Sequence, residues 1–305
     1  MSGFGASVAG SRGAAAPRAA RRPADFLALT KPRVVLMVLV TTAVGFYLGS
    51  PGTMDLVRLL HTLLGTALAA AGTISLNQYL ERDGDALMER TRLRPLPAGR
   101  MDPTDALAFG VLITAGGLAY MALAVDPLGA LVNAVIAASY LFVYTPLKRR
   151  TTLCTLAGAV SGALPPVTGW VAARGEFGVG AWILFAILFL WQIPHSLAIG
   201  RVYREDYSRA GIRLLPVVEP DGVSTGRQVV SYCLALLPVG LLPTLIGLAG
   251  SMYFAAAFGL GAVFLASGIG LARTGSREAA RRLVFVSLAY LPAVLLLMAV
   301  DKVRF

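Results

Sequence analysis

The sequence predicts an all-α polytopic membrane protein, a bundle of nine transmembrane helices. Of its 305 residues 56% are hydrophobic and only 14% charged, where a soluble domain carries roughly 25% charged residues. The charges are also segregated. They leave eight uncharged runs, 34–54, 59–80, 106–125, 127–147, 151–173, 177–200, 228–272 and 283–300, each of 18 residues or more. About 20 apolar residues span the hydrocarbon of a bilayer as a helix. The runs are continuously apolar rather than alternating, which selects helices over a barrel.

In chain order, residues 1–24 are rich in Ala and Arg, contain no acid and have no apolar core. They are therefore not a secretory signal. A disordered basic arm over 1–28 is the expectation, with a mitochondrial transit segment as the alternative. Helices 1 and 2 (34–54 and 59–80) are joined by a turn near Pro51–Thr53. Helices 3 and 4 (106–125 and 127–147) are separated by Asp126–Pro127. Helix 5 (151–173) follows the basic triplet Lys148-Arg149-Arg150, and the turn Arg174–Gly178 leads into helix 6 (177–200). The run 228–272 is 45 residues long, enough for helices 7 and 8 with a turn near Gly247–Ser251. Helix 9 is 283–300. The extramembrane segments leave no room for a separate soluble domain, so residues 29–305 form one helical domain.

Net charge +11 would suggest nucleic acid in a soluble protein. Its distribution excludes that partner. With the N-terminus cytoplasmic, the inside segments hold 23 of the 27 Lys and Arg residues, leaving Arg58, Arg174, Lys302 and Arg304 outside. This is the positive-inside bias, and it orients the chain N-in and C-out. Cys154 and Cys233 both lie in apolar runs and offer neither a disulfide framework nor a CxxC metal motif.

The residues that carry chemistry stand where helix 2 meets the cytoplasmic side. Asn77, Glu81 and Asp85 are spaced by four and share one helical face. They supply an amide oxygen and two carboxylates, hard ligands suited to Mg²⁺. Polar groups continuing an apolar run are costly at membrane depth and face functional cavities, whereas Asp83 and Glu89 read as solvated interfacial charges. Arg90 and Arg94 follow within two or three turns and can grip phosphate bidentately. Lys148 closes helix 4 on the same side, though topology alone also accounts for that basic triplet. A shorter echo follows helix 6, where Asp206 precedes Arg213-Leu214-Leu215-Pro216 much as Asp85 precedes Arg94-Pro95-Leu96-Pro97. Asp206 is thereby the second jaw of one diphosphate clamp, with Tyr207 beside it. His195 stands inside helix 6 after Pro194, which frees a backbone carbonyl and kinks the helix around a pocket. The residues alone leave two roles for His195, a hydrogen-bonded intramembrane group or a substrate contact. His61 reads as interfacial. Trp170, Trp182, Trp191, Tyr140 and Tyr144 fit either an interfacial belt or a stacking surface.

These stretches resemble the UbiA-type intramembrane prenyltransferases and, within them, the haem-farnesylating branch, the haem O synthases. The resemblance is carried by LTKPRV at 29–34, NQYLERDGDALMERTRLRPLPAG at 77–99, YTPLKRRT at 144–151, SGALPPVTGW at 161–170, WQIPHSLAI at 191–199, DYSRAGIRLLPV at 206–217 and ARRLVFVSLAYLP at 280–292. They span nearly the whole chain in order. The resemblance implies nine helices with two acidic motifs that hold Mg²⁺ and a diphosphate over a lipid-facing tunnel. It assigns Asn77, Glu81, Asp85 and Asp206 as the catalytic and Mg²⁺-binding set, and Arg90, Arg94, Lys148, His195 and Tyr207 as substrate contacts. Two departures stand out. Glu81 occupies a position where the superfamily often has Asp, and Ala210 replaces the last acid of the usual second DxxxD. The latter is similar to the haem branch and unlike quinone-directed relatives.

The resemblance further implies farnesyl transfer from farnesyl diphosphate to the vinyl group of haem B, with hydration, to give haem O for haem-copper terminal oxidases. Mg²⁺ is the implied cofactor and the lipid bilayer the surroundings. A haem A synthase or oxidase assembly factors are the implied downstream partners. The implied location is a bacterial inner membrane, the mitochondrial inner membrane being the alternative. Two other functions are set against it. A prenyltransferase for a quinone or other aromatic acceptor predicts a full second DxxxD. A secondary transporter of an anionic metabolite would reuse broken helices and a basic cytoplasmic face. No general base for the hydration can be named from the sequence.

Overall fold

The structure is a computed structural model and describes residues 23–219 and 221–303. The N-terminal arm expected over 1–28 thus lies mostly outside the described residues, but 23–28 fall in a helix. This α1 (Pro23–Leu29) buries Leu29 against Leu96, Met101 and Ala106. Its buried Asp25 meets Arg100 at 3.0 Å. It is followed by α2 (Pro32–Gly49), α3 (Leu56–Asp85), α4 (Pro103–Ala124) and α5 (Pro127–Ala138). A π-helical turn, Ser139–Tyr144, runs on from α5 into the short α6 (Thr145–Leu147). The fifth span is α7 (Cys154–Ala163) and α8 (Pro165–Arg174), and the sixth is α9 (Val179–Val202). On the side of the α3 C-terminus lie α10 (Arg204–Arg209) and α11 (Leu215–Val218). The last spans are α12 (Val223–Leu245), α13 (Ser251–Thr274) and α14 (Arg277–Val300). Among the described residues nine spans are long and apolar enough to cross a membrane. The chain is a multi-pass membrane protein.

Helices pack closely where the sequence supplies small residues, as expected where lipid tails give no hydrophobic drive between helices. A Cβ built on Gly169 of α8 would stand 1.9 Å from the Thr42 carbonyl oxygen, and one on Gly45 of α2 2.0 Å from that of Pro166. The α2–α8 crossing is thus backbone against backbone. In the α3–α4 pair, a Cβ on Gly72 would stand 2.3 Å from Thr114 Oγ1 and one on Gly117 2.4 Å from the Ala69 nitrogen.

Two spans are broken, each at proline. Pro165 and Pro166 open α8 after Leu164 ends α7, in the first turn where proline is favoured, whereas Pro194, Pro238, Pro243 and Pro292 sit inside continuous helices. Pro146 has no N–H to return to the preceding turn. The backbone there widens into the π turn, and Thr145 Oγ1 donates to the Tyr140 carbonyl at 2.8 Å. Such turns recur at functional sites, and this one faces the acidic end of α3. On the opposite membrane face the chain end is tied down. Asp301 accepts from the Tyr253 N–H at 2.7 Å, and Lys302 Nζ donates to the Tyr47 and Ser50 carbonyls at 2.6 and 2.9 Å.

Candidate active site

The α3 helix is unbroken to Asp85, so Asn77, Glu81 and Asp85 do share one face. Asn77 and Asp85 are 1% and 2% exposed. The three side chains line a polar chamber of about 190 Å³ together with Lys31, Met88, Arg90, Arg94, Tyr140, Tyr144, Lys148 and Tyr207, closed by Ile212 and Leu214. Arg94 Nη1 lies 2.6 Å from Asp85 Oδ2, and Lys148 Nζ lies 2.7 Å from Glu81 Oε1. Asn77 donates from Nδ2 to Thr145 Oγ1 at 3.0 Å, which leaves its oxygen for a cation. Arg90 lies over the rings of Tyr203 and Tyr207, 5.7 and 4.9 Å from their centroids.

Local structure explains the convergence. After α3 the chain turns back on itself, with Thr91 Oγ1 donating to the Asp85 carbonyl at 2.7 Å, and this returns Arg94 to the carboxylate nine residues before it. The Arg213 N–H donates to the Lys148 carbonyl at 2.7 Å and draws Ile212 and Leu214 over the chamber. Lys31, the only non-glycine residue with positive φ among the described residues, holds φ 47° at the entry to α2. A left-handed lysine is strained, and here the strain places its ammonium in the chamber. Burial, followed by nearby Arg94, pushes its pKa down to about 8. Burial also opposes the charge on Lys148, but Tyr144 and Glu81 outweigh it and hold that pKa above the usual lysine range.

Of the residues singled out from sequence, Asn77, Glu81, Asp85, Arg90, Arg94, Lys148 and Tyr207 are brought together, and two are not. Asp206 does not line the chamber. Its carboxylate is held by Arg209, one turn further along the short α10, and Tyr207 is what α10 presents instead. Among the described residues no three Asp, Glu, His or Cys side chains cluster as metal ligands. His195 sits in α9 outside the chamber wall and bonds to Ser287. Lys31, Tyr140 and Tyr144 were not assigned to the site from sequence. The signals present were the LTKPRV stretch and the proline after Thr145.

A second pocket, apolar and about 380 Å³, backs onto the chamber and shares Glu81, Asp85, Met88, Lys148 and Ile212 with it. Its remaining wall is Leu80, Gly84, Leu141, Phe142, Thr145, Pro146 and Arg149. Leu80 and Phe142 are exposed on the outer surface of the bundle, so this pocket lies at the lipid side.

Comparison with known proteins agrees with this architecture. Residues 38–289 match the UbiA prenyltransferase family. The chain belongs to the UbiA prenyltransferase family. Within the UbiA family it is 47% identical over 287 residues to the protoheme IX farnesyltransferase of Solibacter usitatus, covering 91% of this chain and 98% of that one. The Myxococcus xanthus protein of the same name is 45% identical, covering 92% and 95%. Among solved structures, digeranylgeranylglyceryl phosphate synthase superposes with a TM-score of 0.78 at 16% identity, over 92% of this chain and 99% of that one. An Archaeoglobus fulgidus UbiA homologue bound to GPP and Mg²⁺ gives 0.63 at 17% identity, over 90% and 99%. At such identities these two establish the shared UbiA fold.

Proposed function

We propose that this chain is a protohaem IX farnesyltransferase: it transfers the farnesyl group of farnesyl diphosphate to the vinyl group of haem B and, with water, yields haem O. The observation that carries the site is the polar chamber beside the apolar pocket. Four cations, Lys31, Arg90, Arg94 and Lys148, face two carboxylates in the chamber, so a polyanion is favoured there. The shared wall suits an amphiphile whose diphosphate head lies among the cations and whose prenyl tail lies against Leu80, Leu141 and Phe142. The relatives named protoheme IX farnesyltransferase specify the acceptor.

The chamber also fits Mg²⁺ in donor chemistry. Asn77, Glu81 and Asp85 bring hard oxygens to one buried face, and carboxylates beside a phosphate are the usual Mg²⁺ donors. When bound, Mg²⁺ supplies Lewis-acid stabilisation of negative charge on the departing diphosphate. The protein's own part follows from its ion pairs. Arg94 and Lys148 now neutralise Asp85 and Glu81. With Asp85 and Glu81 holding the cation, Arg94 and Lys148 would be free to face the diphosphate. Breaking the allylic C–O bond places the electron pair on diphosphate oxygen, where Arg90, Arg94, Lys31 and Lys148 stabilise it. Tyr140 and Tyr144, their rings tilted at 41° with centroids 5.2 Å apart, wall the chamber against water while the allylic cation is exposed. Asp206 would join the ligands only by exchanging Arg209 for the cation.

The charge bias supports a cytoplasmic chamber and an N-in, C-out chain in a bacterial inner membrane. A haem A synthase is the natural recipient of the product. The test is the haem extracted from membranes of a host that lacks this activity. Expression of the chain should produce haem O; unchanged haem B alone, or prenylated quinone in its place, would contradict the proposal.

A further inference from the structure

The three oxygen-bearing side chains on the chamber face of α3 are each gripped by a neighbour, but only two of those neighbours are cations. Asp85 meets Arg94, and Glu81 meets Lys148. Asn77 lies deepest, about 12 Å along α3 from Asp85 at 1.5 Å per residue. It meets the hydroxyl of Thr145 instead, at 3.0 Å. Thr145 and Lys148 stand three residues apart and their partners four apart, so one helical turn faces another.

The π turn is what aims that face. Its closing bond runs from the Thr145 N–H back to the Tyr140 carbonyl, five residues earlier. Such a turn takes in one more residue than an α-helical turn. Relative to an unbroken α-helix, that swings every later side chain about 100° round the axis. Thr145 and Lys148 lie beyond the π turn, and both reach α3.

Hydrogen-bond accounting at Thr145 then decides which end of the Asn77 amide it can hold. A hydroxyl has one proton and two lone pairs. The Thr145 proton goes to the Tyr140 carbonyl at 2.8 Å. What remains for Asn77 is lone pairs alone, so only the Nδ2 end can bond there. Among the described residues Asn77 Oδ1 has no hydrogen-bond partner, yet it is not sealed. It therefore opens on the chamber that Asn77 lines. With the amide reversed, two N–H groups would face the cation and the bond to Thr145 would be lost.

We propose that Thr145 is a positioning residue of the Mg²⁺–diphosphate centre: it fixes the Asn77 amide so that Oδ1, and not Nδ2, is offered to the cation. This rests on the prenyl-transfer function proposed above, in which Asn77, Glu81 and Asp85 hold Mg²⁺. Thr145 also lines the apolar pocket, so its role toward the metal has to be read with a probe that has no tail.

The test is binding of Mn²⁺, a paramagnetic substitute for Mg²⁺, together with inorganic diphosphate to the full chain in detergent. Electron paramagnetic resonance measures the free Mn²⁺, and neither haem nor turnover enters. Thr145→Val keeps the shape of the side chain and removes its oxygen. Its Kd for Mn²⁺ should rise about 10- to 100-fold, the scale for losing a group that orients a metal ligand. Thr145→Ser keeps the oxygen and should bind as wild type does. On an Asn77→Ala background, Thr145→Val should add no more than about twofold, because residues that act through one another are not additive. Should Thr145→Val not fold, Thr145→Ala makes the same comparisons. Wild-type affinity in Thr145→Val, weak binding in Thr145→Ser, or the full loss repeated on Asn77→Ala would each overturn the assignment. If wild type takes up no Mn²⁺ with diphosphate, the Mg²⁺ site proposed above fails and the role of Thr145 with it. The expected binding pattern without haem O formation would count against the haem acceptor and still support Thr145.

Discussion

At the residue scale the proposed mechanism turns on competition for two carboxylates, Asp85 and Glu81, each now paired with a basic side chain. Asp85 is nearly inaccessible and already satisfied by Arg94, so replacing it changes charge more than packing. Asp85→Asn should fold and lose about two orders of magnitude in turnover, the scale associated with removal of one electrostatic transition-state stabiliser. Steady-state rates in liposomes check this. Lys31 yields a pH prediction. In the free protein it is charged below its pKa of about 8 and neutral above, and diphosphate binds the charged form. The KM for farnesyl diphosphate should therefore rise as pH passes upward through about 8, while Lys31→Arg should stay flat over the same range. Asn77, Glu81 and Asp85 were legible because three polar residues at helical spacing are conspicuous at the end of an apolar run. Lys31 was not, since one more cation in a basic segment looks like topology. Ser287 was invisible for another reason: nothing local to it indicates His195, which is 92 residues away in the chain.

At the scale of elements, glycines and prolines decide where helices touch and where they break. Gly45 meets the Pro166 backbone, which cannot swing aside as a flexible side chain would. Gly45→Ala should cost about 1–3 kcal/mol, the range for overpacking. Gly116→Ala in α4, with no atom within 4 Å of the built Cβ, serves as the neutral control. Thermal unfolding of both variants in one detergent makes the comparison. Span number and the Gly247–Ser251 turn were readable from hydropathy, because a run of 45 uncharged residues exceeds any single crossing. The π turn was not readable. Pro146 announces a disturbance, but whether the helix kinks, ends or widens depends on Thr145 reaching the Tyr140 carbonyl. The second jaw was read from a short repeat; α10 has only six residues, and in this structure Tyr207 rather than Asp206 lines the chamber.

At the scale of the whole molecule, the chamber residues lie on one face of the bundle, and the charge bias is the ground for proposing that face as cytoplasmic. With 23 of 27 basic residues in segments assigned to the cytoplasm, single cysteines introduced at Leu93 and at Glu205 should react with an impermeant thiol reagent from the same side of sealed vesicles. Cys154 and Cys233 are buried and should stay silent. Labelling from opposite sides would require an odd number of crossings between them. Fold class was legible at this scale because a bilayer admits few architectures. Substrate identity was legible only through family motifs, since an anion-binding chamber beside an apolar pocket suits many prenyl diphosphates. The most direct measurement is single-turnover chemistry by purified protein in liposomes containing farnesyl diphosphate, haem B and Mg²⁺. Haem O and diphosphate should form in equal amounts with wild type and be nearly absent with Asp85→Asn. Equal haem O from both proteins, or diphosphate released without any farnesylated haem, would contradict a farnesyl transfer centred on this chamber.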